Sequence, residues 1–417
     1  MSAASGDGLA TIRLPPELEG VLASGHPWVY RDNLPERGRG LESGSWVRVE
    51  AGRAAAVGLA DADGAIAVRL YRHARTGGPL ARPDRAWLRD AVEAAVALRS
   101  PIAASGDDAY RLLYGEGDGL PGITADRYGR WAVIRTYAPS LRPDAGTAAA
   151  EVLATVAEAI GKAADLRGVL LADDTAAEEA STPHVLWGTA PPPRLTVRDG
   201  GRSMLVEFGV GQKTGLFLDQ RENRRVVQAH AEGRSVLDLF SYTGAFSVAA
   251  LAGGARTVTS VDVSAGALAA AERNVALLPG DAATRHRSHR ADLMQGTPDA
   301  LDGALRAHGE IADLVVLDPP SLARSKSQRH AAIRSFRRLN AAVLARLPEG
   351  GLLATASCTA QVSVDDFRGA LAAAAQDAGV RARVLHEAGH PLDHPVPLHF
   401  PEGRYLTFVL LQVSRRG

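Results

Sequence analysis

Ser235-Val236-Leu237-Asp238-Leu239-Phe240 runs without a break into Ser241-Tyr242-Thr243-Gly244, and this stretch decides the fold class of the C-terminal half of the chain. The apolar part reads as a buried strand that delivers an acid. The remainder is a polar, glycine-bearing turn able to cap a following helix. Strand, loop and helix in that order open a nucleotide-type site. A dinucleotide site wants G-x-G-x-x-G here, because backbone amides must approach a pyrophosphate closely, and that pattern is absent. S-adenosylmethionine has no phosphate and carries an ammonium, a carboxylate and a sulfonium, so an acid with one close-approach glycine suits it. Just upstream, Gly209-Val210-Gly211-Gln212-Lys213-Thr214 has the residue types of a phosphate loop in the wrong order and without a flanking strand and helix, so ATP binding is set aside.

Working outward, the next strand-like run, Thr257-Val258-Thr259-Ser260-Val261, ends at Asp262, placed to accept hydrogen bonds from both hydroxyls of a ribose. Asp292, after a candidate third strand, is placed to face an adenine amino group. Singly, each acid reads equally well as a helix N-cap; in series they read as a nucleoside site. From Arg234 onward strand-like and helix-like segments alternate: 236–240, 245–251, 257–261, 265–277, 312–317, 331–347 and 351–356. Such alternation implies right-handed crossovers and a mostly parallel, doubly wound α/β sheet with helices on both faces. Function then belongs at the carboxyl ends of the strands.

The N-terminal half reads differently. Between Leu9 and Thr76, short alternating runs such as Trp46-Val47-Arg48-Val49 and Ala65 to Tyr71, separated by Gly and Asp turns, suit a small β-barrel. Gly77-Gly78-Pro79 punctuates the chain. Trp87, Leu88, Ala91, Val92, Ala95 and Val96 then mark an amphipathic helix that opens a second unit. That unit continues through Trp131 to Tyr137, an Ala-rich helix at Thr147 to Lys162, and Gly168 to Leu171. Pro191-Pro192-Pro193 and Asp199-Gly200-Gly201 read as a linker region. The expected organisation is multidomain: a β-barrel over 1–78, a central α+β domain over 79–195 and the α/β domain over 196–417.

Composition bounds the function. Of 417 residues, 46% are apolar and 23% charged, which suits a globular protein with a sizeable core. Basic and acidic residues balance at 47 each, so no global field drives the chain onto nucleic acid, and any such surface is local. A single cysteine, Cys358, excludes an internal disulfide and a cysteine-based metal cluster, and no metal is expected. Met1 to Gly8 lacks the basic and apolar segments of a signal peptide, and no apolar run is long enough to span a bilayer. The expectation is a cytoplasmic protein with no membrane partner.

Two residues carry candidate chemistry. Leu314-Val315-Val316-Leu317 is an apolar strand that delivers Asp318-Pro319-Pro320 to the cofactor edge, where two prolines fix the backbone behind the acid. The competing reading is a strand-ending turn with a solvated acid. One strand later, Gly351 to Ser357 delivers Cys358. A lone cysteine is usually a small buried hydrophobe; this one is expected to follow its strand and sits between polar Ser357 and Thr359. A pyrimidine C5 is too weak a nucleophile to take a methyl group directly. A thiolate added at C6 makes C5 enamine-like, while a carboxylic acid at N3 stabilises the charge that forms. Arg324, Lys326 and Lys213 are candidate cations to lower the thiol pKa.

At these residues the chain resembles a known family. Gly211 to Arg221, Asp238 to Gly244, Asp318-Pro319-Pro320, Ser357-Cys358, Asp393-His394-Pro395 and Tyr405 are similar to the bacterial 23S rRNA cytosine-5 methyltransferases that carry an N-terminal PUA domain. His26-Pro27-Trp28-Val29-Tyr30 and Tyr110 to Thr124 resemble the first two domains of that family. The resemblance implies a PUA-like barrel, a central α+β domain and a class I, Rossmann-like methyltransferase domain acting on a cytosine of large-subunit rRNA. It implies Cys358 as nucleophile and Asp318 as its partner. Many RNA cytosine-5 methyltransferases have a second cysteine after the Asp-Pro pair; here Pro320 and Ser321 stand there, so another base, with His394 as a candidate, or water must take the C5 proton. Thr359 departs from the family's Ser-Cys-Ser.

The expected cofactor-binding set is Gln220, Asp238, Phe240, Ser241, Gly244, Asp262, Asp292 and Asp318. For RNA, the seven basic residues Arg324, Lys326, Arg329, Arg334, Arg337, Arg338 and Arg346 start directly after the candidate acid. Phosphate contact is expected from Lys213, Arg324, Lys326 and Arg329, with Trp28 stacking on a base, although Trp28 and Tyr30 at alternate positions also suit a barrel core. The expected partners are RNA, specifically 23S rRNA, and a second copy in a homodimer. Two rival functions stay open: methylation of uracil C5 or a guanine nitrogen on the same fold, and a non-catalytic RNA-binding ribosome-assembly factor.

Overall fold

The structure, a computed structural model, describes residues 8–35, 40–76, 80–142, 144–172, 184–208, 216–295, 297–323 and 325–415. The chain divides into two compact units. Unit 1 comprises Met1–Leu195, Phe208–Gly211 and Leu392–Gly403, and unit 2 comprises Thr196–Glu207, Gln212–Pro391 and Arg404–Gly417.

Unit 1 holds two five-stranded sheets. In the first, β1 (Ala10–Arg13), β2 (Trp28–Tyr30), β3 (Trp46–Ala51), β4 (Ala54–Ala60) and β5 (Ile66–Ala74) lie in the order β1-β3-β4-β5-β2, with helix α1 (Glu19–Ala23) alongside. The second contains β6 (Ala109–Tyr114), β7 (Ile123–Tyr128), β8 (Trp131–Thr136), β9 (Gly168–Leu171) and β10 (His184–Gly188), in the order β10-β9-β8-β7-β6. Its helices are α2 (Arg85–Leu98), α3 (Ser100–Ala104) and α4 (Thr147–Ala163). Leu88, Val92 and Ala95 of α2 are buried with Val152, Val156 and Ile160 of α4 in a core that also takes in Leu59 and Tyr71 from the first sheet.

The late segment Leu392–Gly403 belongs to unit 1 and is tied there by specific bonds. Arg99, fully buried, pairs with both carboxylate oxygens of Asp118 at 2.6 and 2.8 Å and donates to the Asp393 carbonyl at 2.8 Å. The Asp393 carboxylate accepts from the Arg111 amide at 3.0 Å. Phe400 packs edge-on against Trp28 with ring centroids 4.5 Å apart.

Strands β11 (Arg194–Asp199) and β12 (Arg202–Glu207) form a two-stranded sheet. The turn Gly200-Gly201 has φ of +57° and +79°, a conformation only glycine adopts at little cost. This is a hairpin, where the sequence had suggested a linker. Asp199, fully buried, is its anchor and accepts from Arg224 Nε at 2.8 Å.

The rest of unit 2 is a seven-stranded sheet in the order β15-β14-β13-β16-β17-β19-β18. Its strands are β13 (Ser235–Leu239), β14 (Thr257–Asp262), β15 (His286–Arg290), β16 (Leu314–Leu317), β17 (Leu352–Cys358), β18 (Arg381–Ala388) and β19 (Leu406–Ser414). The helices are α5 (Arg221–Ala229), α6 (Ala245–Ala252), α7 (Ala265–Val275), α8 (Thr297–His308), α9 (Arg329–Leu344) and α10 (Val364–Asp377). The first five strands in sequence are parallel, and β19 runs antiparallel between β17 and β18. The sequence showed the parallel strands and missed β18 and β19, as well as α5, α8 and α10. The strand order reverses on either side of β13: β14 and β15 extend one way, β16 and β17 the other. Loops leaving β13 and β16 therefore part at their carboxyl ends and leave a crevice.

Candidate active site

Paired strands bring the site residues together. Leu239 of β13 is in register with Leu317 of β16, so Phe240 and Asp318 leave the sheet side by side. Leu317 is in register with Thr355 of β17, and three residues on is Cys358. The Cys358 thiol lies 3.5 Å from the Pro319 carbonyl, to which it donates. Cys358 is the last residue of β17, paired with Leu406, and not beyond the strand as the sequence suggested. Its polar neighbours are buried: Thr359 Oγ1 donates to the Ala323 carbonyl at 2.7 Å, which ties the end of β17 to the segment after Asp318.

The loop after β13 is conformationally demanding. Phe240 and Tyr242 have φ of +61° and +49°, two of only three non-glycine residues with positive φ among the described residues. Such backbone costs energy and is held by its surroundings, often at a ligand site. The Ser241 amide donates to the Val261 carbonyl at 3.0 Å and the Tyr242 amide to Asp262 Oδ2 at 2.9 Å. Gly244, at φ +76°, caps α6; a Cβ there would fall 2.6 Å from that of Ala271.

Asp238 is 1% exposed. Its Oδ2 accepts from Ser247 Oγ at 2.7 Å, while its Oδ1, like the buried Oγ of Ser241, has no hydrogen-bond partner among the described residues. Burial pushes the Asp238 carboxyl up to about 7, with a further push from Asp262 and a pull downward from Ser247. A buried acid with an unused oxygen, beside an unused hydroxyl, fits an ammonium-bearing ligand such as S-adenosylmethionine.

Asp318 behaves similarly. Burial pushes its carboxyl up to about 7, the negative charges of Asp219 and Asp238 add to this, and Arg224 and a hydrogen bond from Gln220 oppose it. Gln220, itself buried, is oriented by Asn223 Nδ2 at 2.5 Å. Asp219 accepts from the Tyr405 hydroxyl at 2.6 Å. Asp219, Asn223 and Arg224 were not singled out from sequence; an arginine or asparagine buried on a helix as polar as α5 has no periodic signature.

The remaining expected residues scatter. Asp262 accepts from the amides of Tyr242 and Ser264, and Asp292 from those of Met294 and Gln295, so both also hold turns. Lys213 and Arg324 lie outside the described residues, as does the whole stretch Gly209 to Gly215. Lys326 is exposed. Arg329 makes a two-pronged pair with Asp366 of α10 at 2.6 to 3.1 Å. Arg337 and Arg346 likewise pair with Asp377 and Asp302. The Trp28 indole N–H donates to Glu116 at 2.7 Å and its ring packs on Phe400, both inside unit 1. His394 is buried there against Asp393 and Tyr114.

The family model for S-adenosylmethionine-dependent methyltransferases matches residues 120–382, and that for PUA-like domains matches 12–73. A ribosomal RNA large subunit methyltransferase of Deinococcus radiodurans is 38% identical over 97% of both chains. The chain belongs to the S-adenosylmethionine-dependent methyltransferases. The methyltransferase is also 33% identical to ribosomal RNA large subunit methyltransferase I of Klebsiella pneumoniae, over 93% of this chain and 94% of that one. A solved structure described as a SAM-dependent methyltransferase from Streptococcus mutans shares its fold, with a TM-score of 0.79 at 21% identity over 97% of this chain and all of the other. A second, of a methyltransferase complexed with SAH, matches with a TM-score of 0.79 at 22% identity over the same shares. The cofactor of the methyltransferase is thus S-adenosylmethionine, and its N-terminal domain is PUA-like. Among the described residues no helix is long and apolar enough to cross a membrane.

Proposed function

We propose that the protein methylates C5 of a cytosine in 23S rRNA, with Cys358 as nucleophile and Asp318 as the acid at N3. The names of its relatives support large-subunit ribosomal RNA as substrate. The observation that carries the chemistry is the approach of the Cys358 thiol to within 3.5 Å of the Pro319 carbonyl, next to Asp318.

In this reading Asp238 and Ser241 receive the cofactor's ammonium, with Gln220, Phe240, Gly244, Asp262 and Asp292 lining the remainder. When bound, the cofactor supplies a methyl group on a sulfonium and leaves as a neutral thioether. Cys358, having lost its proton to solvent, forms a bond to C6. Electron density moves to C5, and the Asp318 carboxyl hydrogen-bonds N3, where negative charge collects. C5 takes the methyl group, its own proton passes to water, and the bond from Cys358 to C6 breaks to restore the thiolate. Asp318, with its pKa raised toward neutrality, can present a hydrogen at N3. Cytosine N3 is an acceptor and uracil N3 carries a hydrogen, so such an acid favours cytosine.

RNA phosphates would meet exposed cations. On α9 these include Arg334 and Arg338, spaced four apart, together with Lys326 just before the helix. The target base must leave its stack to reach Cys358. Mass mapping of 23S rRNA from cells with and without the gene tests the proposal. A methylcytosine lost with the gene, restored by the wild type and not by Cys358→Ala, is the expected result; restoration by Cys358→Ala would overturn the covalent mechanism.

A further inference from the structure

Behind the cofactor loop, polar side chains link Asp238 to the outer strand of the sheet. Asp238 Oδ2 accepts from Ser247 Oγ of α6 at 2.7 Å, Ser247 Oγ lies 2.7 Å from Ser260 Oγ of β14, and Ser260 Oγ lies 2.8 Å from His286 Nε2 at the start of β15. Ser247 and Ser260 are fully buried, whereas His286 is only half-buried. The chain therefore runs from a buried acid to an imidazole that reaches solvent. None of these three residues contributes to the chemistry above.

We infer that His286 is a positioning residue for the cofactor: through Ser260 and Ser247 it sets which protonation state of Asp238 meets the cofactor's amino group. The inference rests on Asp238 being the acid that receives that group. Each serine hydroxyl has one hydrogen, so the direction of every bond fixes the next. With the hydrogen on His286 Nε2, His286 donates to Ser260, Ser260 to Ser247, and Ser247 to Asp238, which accepts as a carboxylate. With it on Nδ1, every bond reverses and Asp238 must supply a hydrogen to Ser247, which it does only as a carboxylic acid. Passage between the two states moves one proton. It leaves Asp238 for Ser247, displaces that of Ser247 to Ser260 and that of Ser260 to His286 Nε2, and His286 releases its Nδ1 proton to solvent.

The surrounding charges allow this. Asp262, at the end of β14, and Asp318, after β16, face Asp238 and resist its ionisation. Glu272 of α7 faces His286. Burial lowers the His286 pKa to about 4 despite Glu272, so the imidazole is neutral and its single hydrogen is free to sit on either nitrogen.

The test is calorimetric binding of S-adenosylhomocysteine, which keeps the ammonium, across pH in buffers of different ionisation enthalpy. Wild-type affinity rises with pH through about 7 and then levels. In His286→Leu the midpoint moves up by about one unit. Affinity near pH 6 falls about tenfold, stays within about a factor of two near pH 8.5, and near pH 8 binding releases about half a proton where the wild type releases little. Ser260→Ala gives the same shift, and the double variant adds nothing. A midpoint left in place, or affinity lost evenly at every pH, overturns the inference. Asp238→Asn separates the two levels. If it binds like wild type, the assignment of Asp238 falls and takes the inference with it; if it abolishes binding while His286→Leu leaves the midpoint unmoved, the inference alone is overturned.

Discussion

Replacing Asp238 by asparagine is expected to pull two properties apart. In the free protein the folded-state pKa of this acid lies above its unfolded value. The folded form thus holds a proton that the unfolded form gives up, and the stability linked to Asp238 declines as pH rises from about 4 to about 7. Above that window a buried charge stands without its cation. Asp238→Asn should therefore melt a few degrees higher than wild type at pH 8 without cofactor, and show no rise on adding S-adenosylhomocysteine. A variant that melts lower and still responds to the ligand would refute this. Cys358→Ala should bind S-adenosylhomocysteine as the wild type does, by calorimetry, and transfer no methyl groups. At this scale the sequence was informative where chemistry is scarce. A lone thiol, an Asp-Pro-Pro after an apolar strand and an acid before a glycine turn stood out. Asn223 and Arg224 did not, because their significance lies in burial, which α5's polar sequence gives no reason to expect; Asp219, in the turn before α5, matters through Tyr405, which is remote in sequence.

At the scale of elements, the loop from Phe240 to Gly244 and helix α9 make contrasting predictions. Gly244→Ala must accept a positive φ and a Cβ 2.6 Å from that of Ala271. A loss of about 1–3 kcal/mol in denaturant unfolding, with weaker cofactor binding, is expected; an unchanged midpoint would contradict it. On α9, Arg334→Glu with Arg338→Glu should weaken binding of rRNA fragments at low salt, whereas Arg329→Ala should leave RNA affinity alone and cost at most about 1 kcal/mol, since its pair with Asp366 is partly exposed. A filter-binding titration distinguishes these. The strand and helix alternation of the α/β domain was legible because buried parallel strands are unbroken apolar runs, as in Leu314 to Leu317. The arginines of α9 looked uniform in sequence. Only the carboxylates of α8 and α10, far off along the chain, show which of them are already paired.

For the whole molecule, Arg99 is the residue to change. It is fully buried, its partner Asp118 nearly so, and it joins α2, the segment at Asp118 and the late stretch at Asp393. Arg99→Met leaves Asp118 buried without its cation and should destabilise the protein by about 3–5 kcal/mol in urea unfolding. A loss below about 1 kcal/mol would show that the network is dispensable. Nothing in the sequence announced that Leu392–Gly403 belongs with residues 1–195, because its ties are the backbone carbonyls of Asp393 and Gly403, the carboxylates of Asp393 and Glu402, and aromatic edges. That membership also orders events in time. On the ribosome the first sheets emerge early, yet Arg99 and the Arg111 amide wait for Asp393, and Trp28 for Phe400, until the intervening stretch Gln212–Pro391 of unit 2 has been made. Unit 1 is thus completed only after most of unit 2 has been synthesised, and a chain cut before Leu392 leaves both units unfinished, each a substrate for chaperones and proteases.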